Sequence, residues 1–217
     1  ETVSRLFAYD VLLYAEAFWS SDQMLGRKVN LTLANRDGRG RRHVDGLITA
    51  FAYVSGGHHD QLHCYRAKRS PRLWLTARNR RYRVFREKSL IEIIDHILKD
   101  DWGIDYETRL DASDYPPLLQ RVQAGESDYH FLIRQLAREG IFFYFEHTDH
   151  SHTLILSDRN PVAPPRACPC RPGTHDFGNV FAWDWEETLG VQQVLLQDFD
   201  FTDTRDEGQV GPLPVPQ

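Results

Sequence analysis

Four early stretches alternate apolar and polar residues with a period of two. In "RLFAYDVLL" the residues Phe7, Tyr9, Val11 and Leu13 fall on one side. "KVNLTLANRDG" repeats the pattern through Val29, Leu31 and Leu33, then meets an Asp37-Gly38 turn. "VDGLITAFAYV" and "QLHCYRAK" continue it, joined by "SGGHHD". A period of two places alternate side chains on one face of a strand, so four strands are expected. Between the first two, "SDQMLG" predicts one helical turn stopped by Gly26. Closely spaced strands with glycine turns imply a barrel or a sandwich.

The period then lengthens. "KSLIEIIDHILKDDWG" carries Leu90, Ile93, Ile94, Ile97 and Leu98 at helical spacing. Ser89 followed by Glu92 matches a capping box, and Gly103 is a plausible stop. After the turn-rich "DASDYPP", a second helix is expected from an N-cap at Ser127. Its apolar stripe is Tyr129, Leu132, Ile133, Leu136 and Ala137, and Gly140 fits the left-handed position that ends helices. The chain then runs straight into "IFFYF", Ile141 to Phe145, and returns as "HTLILSD". Strands are expected at 141–146 and 153–157. An unbroken apolar run implies that both faces of this hairpin are covered, one by the preceding helix and the other by a second sheet or another subunit. Residues 160–173 hold five prolines and two cysteines and predict a loop. "NVFAWDWEE" and "VQQVLLQDFDF" predict two last strands, and "GQVGPLPVPQ" a linker or cut end.

Composition changes this picture little. The 217 residues are 41% hydrophobic and 26% charged, with a net charge of -5, as in ordinary soluble proteins. A chain of this length buries about 70% of the surface its unfolded form exposes. No run of about 18 apolar residues suggests a membrane span, and no signal peptide opens the sequence. Its start lacks a methionine, so a preceding segment is expected. Cys64, Cys168 and Cys170 give no even disulfide framework, which fits a reducing compartment. Charge, however, is uneven. Arg66 to Lys88 holds ten basic residues and one acid, Glu87, whereas Asp184 to Glu207 holds eight acids and one base, Arg205. These segments are either two solvated faces or complementary patches that meet between subunits.

Candidate chemistry is thin. "GGHHDQLHC" offers His58, His59, His63 and Cys64, and "EHTDHSH" offers His147, His150 and His152, all at turn or strand signals. Both sets are candidate zinc ligands or simple turn histidines. "CPC" lacks the two-residue gap of the usual zinc and redox pairs. No G-x-S-x-G, H-E-x-x-H, phosphate-loop or G-x-G-x-x-G motif occurs. "RNRRYRVFREK" interleaves arginines with Tyr82 and Phe85, a pattern that suits single-stranded nucleic acid. Its alternation and the net acidity of the chain favour a strand with a solvated arginine face.

Several stretches together resemble one family. "SRLFAYDVLL", "PRLWLTARNRRYRVFREKSLIEIIDHIL", "YPP" followed by "ESDYHFLIRQLAREGIFFYFEHTDHSHTLILSD", and "VLLQDFDF" look like VgrG proteins, the spike proteins of bacterial type VI secretion. More distantly, the chain is similar to the baseplate hubs of contractile phage tails. The resemblance implies a mainly β, α+β fold of two small β-barrels with inserted helices. The first barrel is then expected at 1–86, a helical segment at 87–117, the second barrel at 118–205 and a linker at 206–217. It further implies a homotrimer whose six barrels ring the hexameric Hcp tube, contacting baseplate components. A PAAR-type tip protein, effectors and the target membrane are reached through a needle that family members carry beyond "DFDF". Family members also carry a strand before "SRLF", so a hub portion of a longer protein is expected. "LLQRVQAGES" departs from the family's more aromatic strand, leaving its register open. The resemblance implies assembly in the bacterial cytoplasm and translocation without a signal peptide. It implies no catalytic residue, metal, cofactor or nucleic acid. The competing readings are the hub of a contractile phage or phage-like particle, and a metal-dependent hydrolase using the histidine clusters.

Overall fold

The computed structural model describes residues 2–34, 41–56 and 62–159, with the backbone of 194–196 and 211–213. The four predicted early strands are present: β1 (Tyr9–Ala15), β2 (Lys28–Ala34), β3 (Arg41–Gly56) and β4 (His63–Ser70). They form one antiparallel sheet in the order β1-β4-β3-β2. Val29, Leu31 and Leu33 of β2 are half-buried while their neighbours are exposed, as the period of two requires. The turn between β1 and β2 is α1 (Ser21–Met24), ended by Gly26 in the left-handed region at φ 76°. The Asp37-Gly38 turn and His58 and His59 lie outside the described residues.

A 3-10 stretch, Arg72–Arg78, leads into β5 (Arg81–Lys88). α2 (Leu90–Asp95) starts at the expected capping box: the Ser89 hydroxyl accepts from the Glu92 amide, and the Glu92 carboxylate accepts from the Ser89 amide. That backbone bond, with those from Lys88 and the Ser89 hydroxyl, holds the Glu92 carboxyl at about 2. The helix continues as a π-helical stretch, His96–Asp101. β6 (Tyr106–Arg109) follows, then a 3-10 turn at Ala112–Asp114 and β7 (Leu118–Glu126). β7 pairs with β5 as a two-stranded ribbon, which fixes the register that the sequence left open. α3 (Asp128–Arg138) begins at Ser127, whose side chain accepts from the His130 amide, and ends at Gly140 with φ 70°. β8 (Phe142–His147) and β9 (His152–Ser157) make the predicted hairpin. β6 joins it in parallel on the far side of β9, so β9 is the central strand.

One core unites these elements. Leu90, Ile93, Ile94, Ile97 and Leu98 meet Phe131, Leu132 and Leu136 of α3, Phe143 and Phe145 of β8, Leu154 and Leu156 of β9, Val44 of β3, and Phe7 just before β1. Fully burying one such side chain stabilises by about 1.5–3 kcal/mol.

Two expectations are met in part. Within the single chain "IFFYF" is covered mainly on one face. Phe143 and Phe145 are buried, while Phe142 and Tyr144 stack on one another half-exposed, with Arg109 over the Tyr144 ring. The buried face of α3 is Asp128, Phe131, Leu132, Gln135 and Leu136; it shares Leu132 and Leu136 with the expected stripe, whose Tyr129 and Ile133 are partly buried against the core while Ala137 is exposed. Two polar side chains occupy that face because each finds partners inside. Gln135, for one, accepts from the buried Arg121 guanidinium at 2.6 Å.

Residues Glu1–Ala167 with Asp176–Gly178 form one compact unit; Cys168–His175 with Asn179–Gln217 form a second. In the second, β10 (Val194–Leu196) pairs antiparallel with β11 (Gly211–Leu213), so a strand lies within the expected linker. The loop at 160–173, with Cys168 and Cys170, and "NVFAWDWEE" lie outside the described residues.

Candidate interaction surface

The β5–β7 ribbon is inside-out. Its inward positions are polar: Arg81 and Arg83 precede Phe85 on β5, and Arg121 and Gln123 are buried on β7. Its middle outward positions are apolar, with Tyr82 84% exposed, Val84 53% and Val122 42%, and exposed Arg86 and Gln120 follow on the same face. The register sets Tyr82 opposite Ala124 and Val84 opposite Val122, so the four side chains form one strip. The solvated arginine face expected of "RNRRYRVFREK" is therefore reversed.

The reversal follows from what lies beneath. Asp128, at the first position of α3, is 0% exposed. Its carboxylate accepts from Asn79 at 2.5 Å, the Trp102 indole at 2.8 Å, Gln123 at 2.9 Å and Arg83 at 2.5 Å. Asp101, at the end of the π-helical stretch, accepts from Arg81 at 2.7 Å and Arg83 at 2.5 Å. Two guanidinium groups are thus balanced by two carboxylates. Burial works to raise the Asp128 pKa, but the bonds from Gln123, Trp102 and Asn79 and the Arg83 charge hold it below its ordinary value. The network ties β5, β7, α3 and the end of the π-helical stretch, so turning Arg83 to solvent would strand Asp128.

Much of the basic run is consumed in this way. Arg69 is buried and donates to the Val44 carbonyl, and Arg78 lies over the Trp74 ring at 3.9 Å. Lys88 pairs with Glu92. Exposed Arg66 and Lys68 stay on the four-stranded sheet, and exposed Arg80 and Arg86 flank the ribbon strip. One basic patch is replaced by two separate sites.

The histidines divide similarly. His147 and His152 face one another across the β8–β9 hairpin and clamp Asp45 of β3. The Asp45 amide donates to His147 Nδ1 at 3.2 Å, and His152 Nδ1 meets the Asp45 carboxylate at 2.7 Å. The Arg72 amide donates to His152 Nε2 at 3.1 Å. An Asp–His pair beside a cleft of about 260 Å³ has the outline of a general-base site. Here the Nε2 lone pair is already taken by a backbone amide, so it cannot receive a proton without breaking that bond. Burial holds the His152 pKa below 6.5, opposed by Asp45. His150 is exposed beside Asp149 at the turn. His63 sits among Phe18, Tyr53 and Tyr65, while Cys64 next to it is buried. Among the described residues, no three His, Cys, Asp or Glu side chains are grouped to hold a metal, and no helix is long and apolar enough to cross a membrane.

Neither the Asp128 network nor the Asp45 clamp was found by motif reading. The available signal was Arg81 and Arg83 two residues apart, matched by Arg121 and Gln123 two apart on β7.

Comparison with known proteins agrees with this architecture. A family model described as phage tail baseplate hub (GPD) matches residues 1–212. The type VI secretion system spike protein VgrG1b of Pseudomonas aeruginosa is 30% identical over 209 residues, covering 93% of this chain and 28% of its own. VgrG2a from the same organism is 36% identical over 178 residues, covering 76% and 20%. The chain thus spans less than a third of the length of these relatives. Among solved structures, an E. coli component of the type VI secretion system, with structural similarity to the T4 bacteriophage tail proteins gp27 and gp5, superposes with a TM-score of 0.63 at 25% identity. It covers 73% of this chain and 44% of that one. A chain of a Francisella PdpA–VgrG complex shares the fold with a TM-score of 0.55 at 11% identity, covering 95% of this chain and 35% of that one.

Proposed function

The chain belongs to the phage tail baseplate hub family, and from that premise we propose that it is the hub portion of a type VI secretion spike. The observation that carries this reading is the match along nearly the whole chain to a hub family and to spike proteins at about one-third identity or just below. In this account three copies form a ring of six small barrels, with 1–86 and 118–205 as the two barrels of each copy and 87–117 between them. The ring seats on the hexameric Hcp tube and contacts the baseplate. Parts of the protein beyond this chain carry the needle, the tip protein and the effectors. The assembly forms in the cytoplasm and is translocated whole, without a signal peptide.

The hub works by shape rather than chemistry. The family is a structural one, so no catalysis, metal or cofactor is assigned to the chain, and the capped Nε2 of His152 removes one candidate general base. The family description, a phage tail hub, favours one second reading: the same role in a contractile phage or phage-like particle. Mixing the full-length gene product with Hcp hexamers and following sedimentation tests the docking. One trimer per Hcp ring is expected. No co-sedimentation with Hcp, alongside binding to a phage tail tube, would transfer the protein to the second reading.

A further inference from the structure

We propose that the outward face of the β5–β7 ribbon is where a second copy of the chain docks, through its acidic stretch between Asp184 and Glu207. The proposal rests on the hub reading and names the surface by which neighbouring copies meet.

Three observations point there. First, the middle of the ribbon turns apolar side chains outward while Arg81 and Arg83 point inward, fixed by Asp101 and Asp128. A face of Tyr82, Val84, Val122 and Ala124 left in water gains nothing for the monomer, and contiguous apolar strips of this kind mark contact surfaces. Second, the strip is shaped. Gly125 is the extra residue of a bulge, because Arg81 pairs with Glu126 but Tyr82 with Ala124. Its φ is 74°, and a Cβ there would lie 2.6 Å from the Tyr82 hydroxyl oxygen. Only glycine lets the Tyr82 ring lie across the bulge and lengthen the flat face. Third, Arg80 and Arg86 flank the strip, and neither has an ion-pair partner among the described residues. They call for an acidic occupant. The Asp184–Glu207 stretch is such an occupant within the chain's own sequence, with eight acids interleaved with Trp185, Phe199 and Phe201. β5 pairs only with β7 among the described residues, so its other edge and the strip beside it are open to a neighbouring copy.

Placing a benzophenone photo-crosslinker at position 82 of the full-length gene product tests the contact directly, with light scattering run on the same sample. Cross-links between chains that map to 184–207 are expected. Combined Arg80→Glu and Arg86→Glu should weaken association at least tenfold with an unchanged melting temperature, whereas Arg66→Glu on the four-stranded sheet should leave association unchanged. A trimer without such cross-links overturns this surface but leaves the hub reading standing. Cross-links to co-purified nucleic acid, or equal weakening by Arg66→Glu, also overturn it. Failure to associate at all overturns both.

Discussion

Asp128 shows how one side chain decides which face of a strand looks inward. In sequence it follows an N-cap serine and suits a helix start, where a carboxylate favours the positive end of the dipole. Nothing local announces that it is fully buried or that residues of four other segments converge on it. Arg81 and Arg83 alternate with Tyr82 and Val84, and either set fits an exposed face; only the acceptor beneath breaks the tie. Removing one partner of a buried, hydrogen-bonded charge group costs about 3–5 kcal/mol. Asp128→Ala is therefore expected to lose that much in urea unfolding at pH 7. The Asp128 pKa is depressed in the folded chain, so its contribution is complete above the ordinary value of 3.8 and is lost as pH falls through the lower folded value. The gap between variant and parent should close below about pH 4. A loss under about 1 kcal/mol at pH 7 contradicts the network's role.

At the scale of elements, alternation, capping boxes and helix-ending glycines carry nearly all the local structure. β1 to β4, α2, α3 and the β8–β9 hairpin stand where period and caps place them. The parallel strand β6 and the 3-10 stretch at Arg72–Arg78 were missed because their positions depend on partners distant in sequence. The polar positions on the buried face of α3 were missed because hydrophobicity alone cannot credit a satisfied glutamine or aspartate. The hairpin is joined to the four-stranded sheet by the Asp45–His147–His152 clamp, which also packs on the Phe7 ring. Burial is the largest influence on His152 and lowers its pKa, His147 and Lys28 act in the same direction, and Asp45 opposes them. A depressed histidine pKa contributes stability that is complete above 6.5 and fades as pH falls through the folded value. The melting temperature should therefore drop between pH 7 and 5, and His152→Asn should be less stable at pH 7 but flatter across that window. Parallel pH profiles for the two proteins would show that the clamp does not titrate as described.

For the whole molecule, composition excludes little, and the ordered series of motifs from "SRLF" to "DFDF" carries the family. What that series cannot show is the inversion of the ribbon. A solitary subunit with that face in water breaks the agreement between pattern and burial that the rest of the chain obeys. The hub reading resolves the conflict by covering the face with a neighbour. An obligate interface of this kind buries on the order of 2,000 Å² or more, so intact protein should not fall apart on modest dilution. Needle strands that intertwine beyond residue 217 would add to that stability, so the 217-residue chain alone should associate weakly and with a clear dependence on concentration. Multi-angle light scattering of the full-length gene product at tens of micromolar tests the hub account most directly. Three times the single-chain mass is the expected result, and a monomer at that concentration would contradict the account.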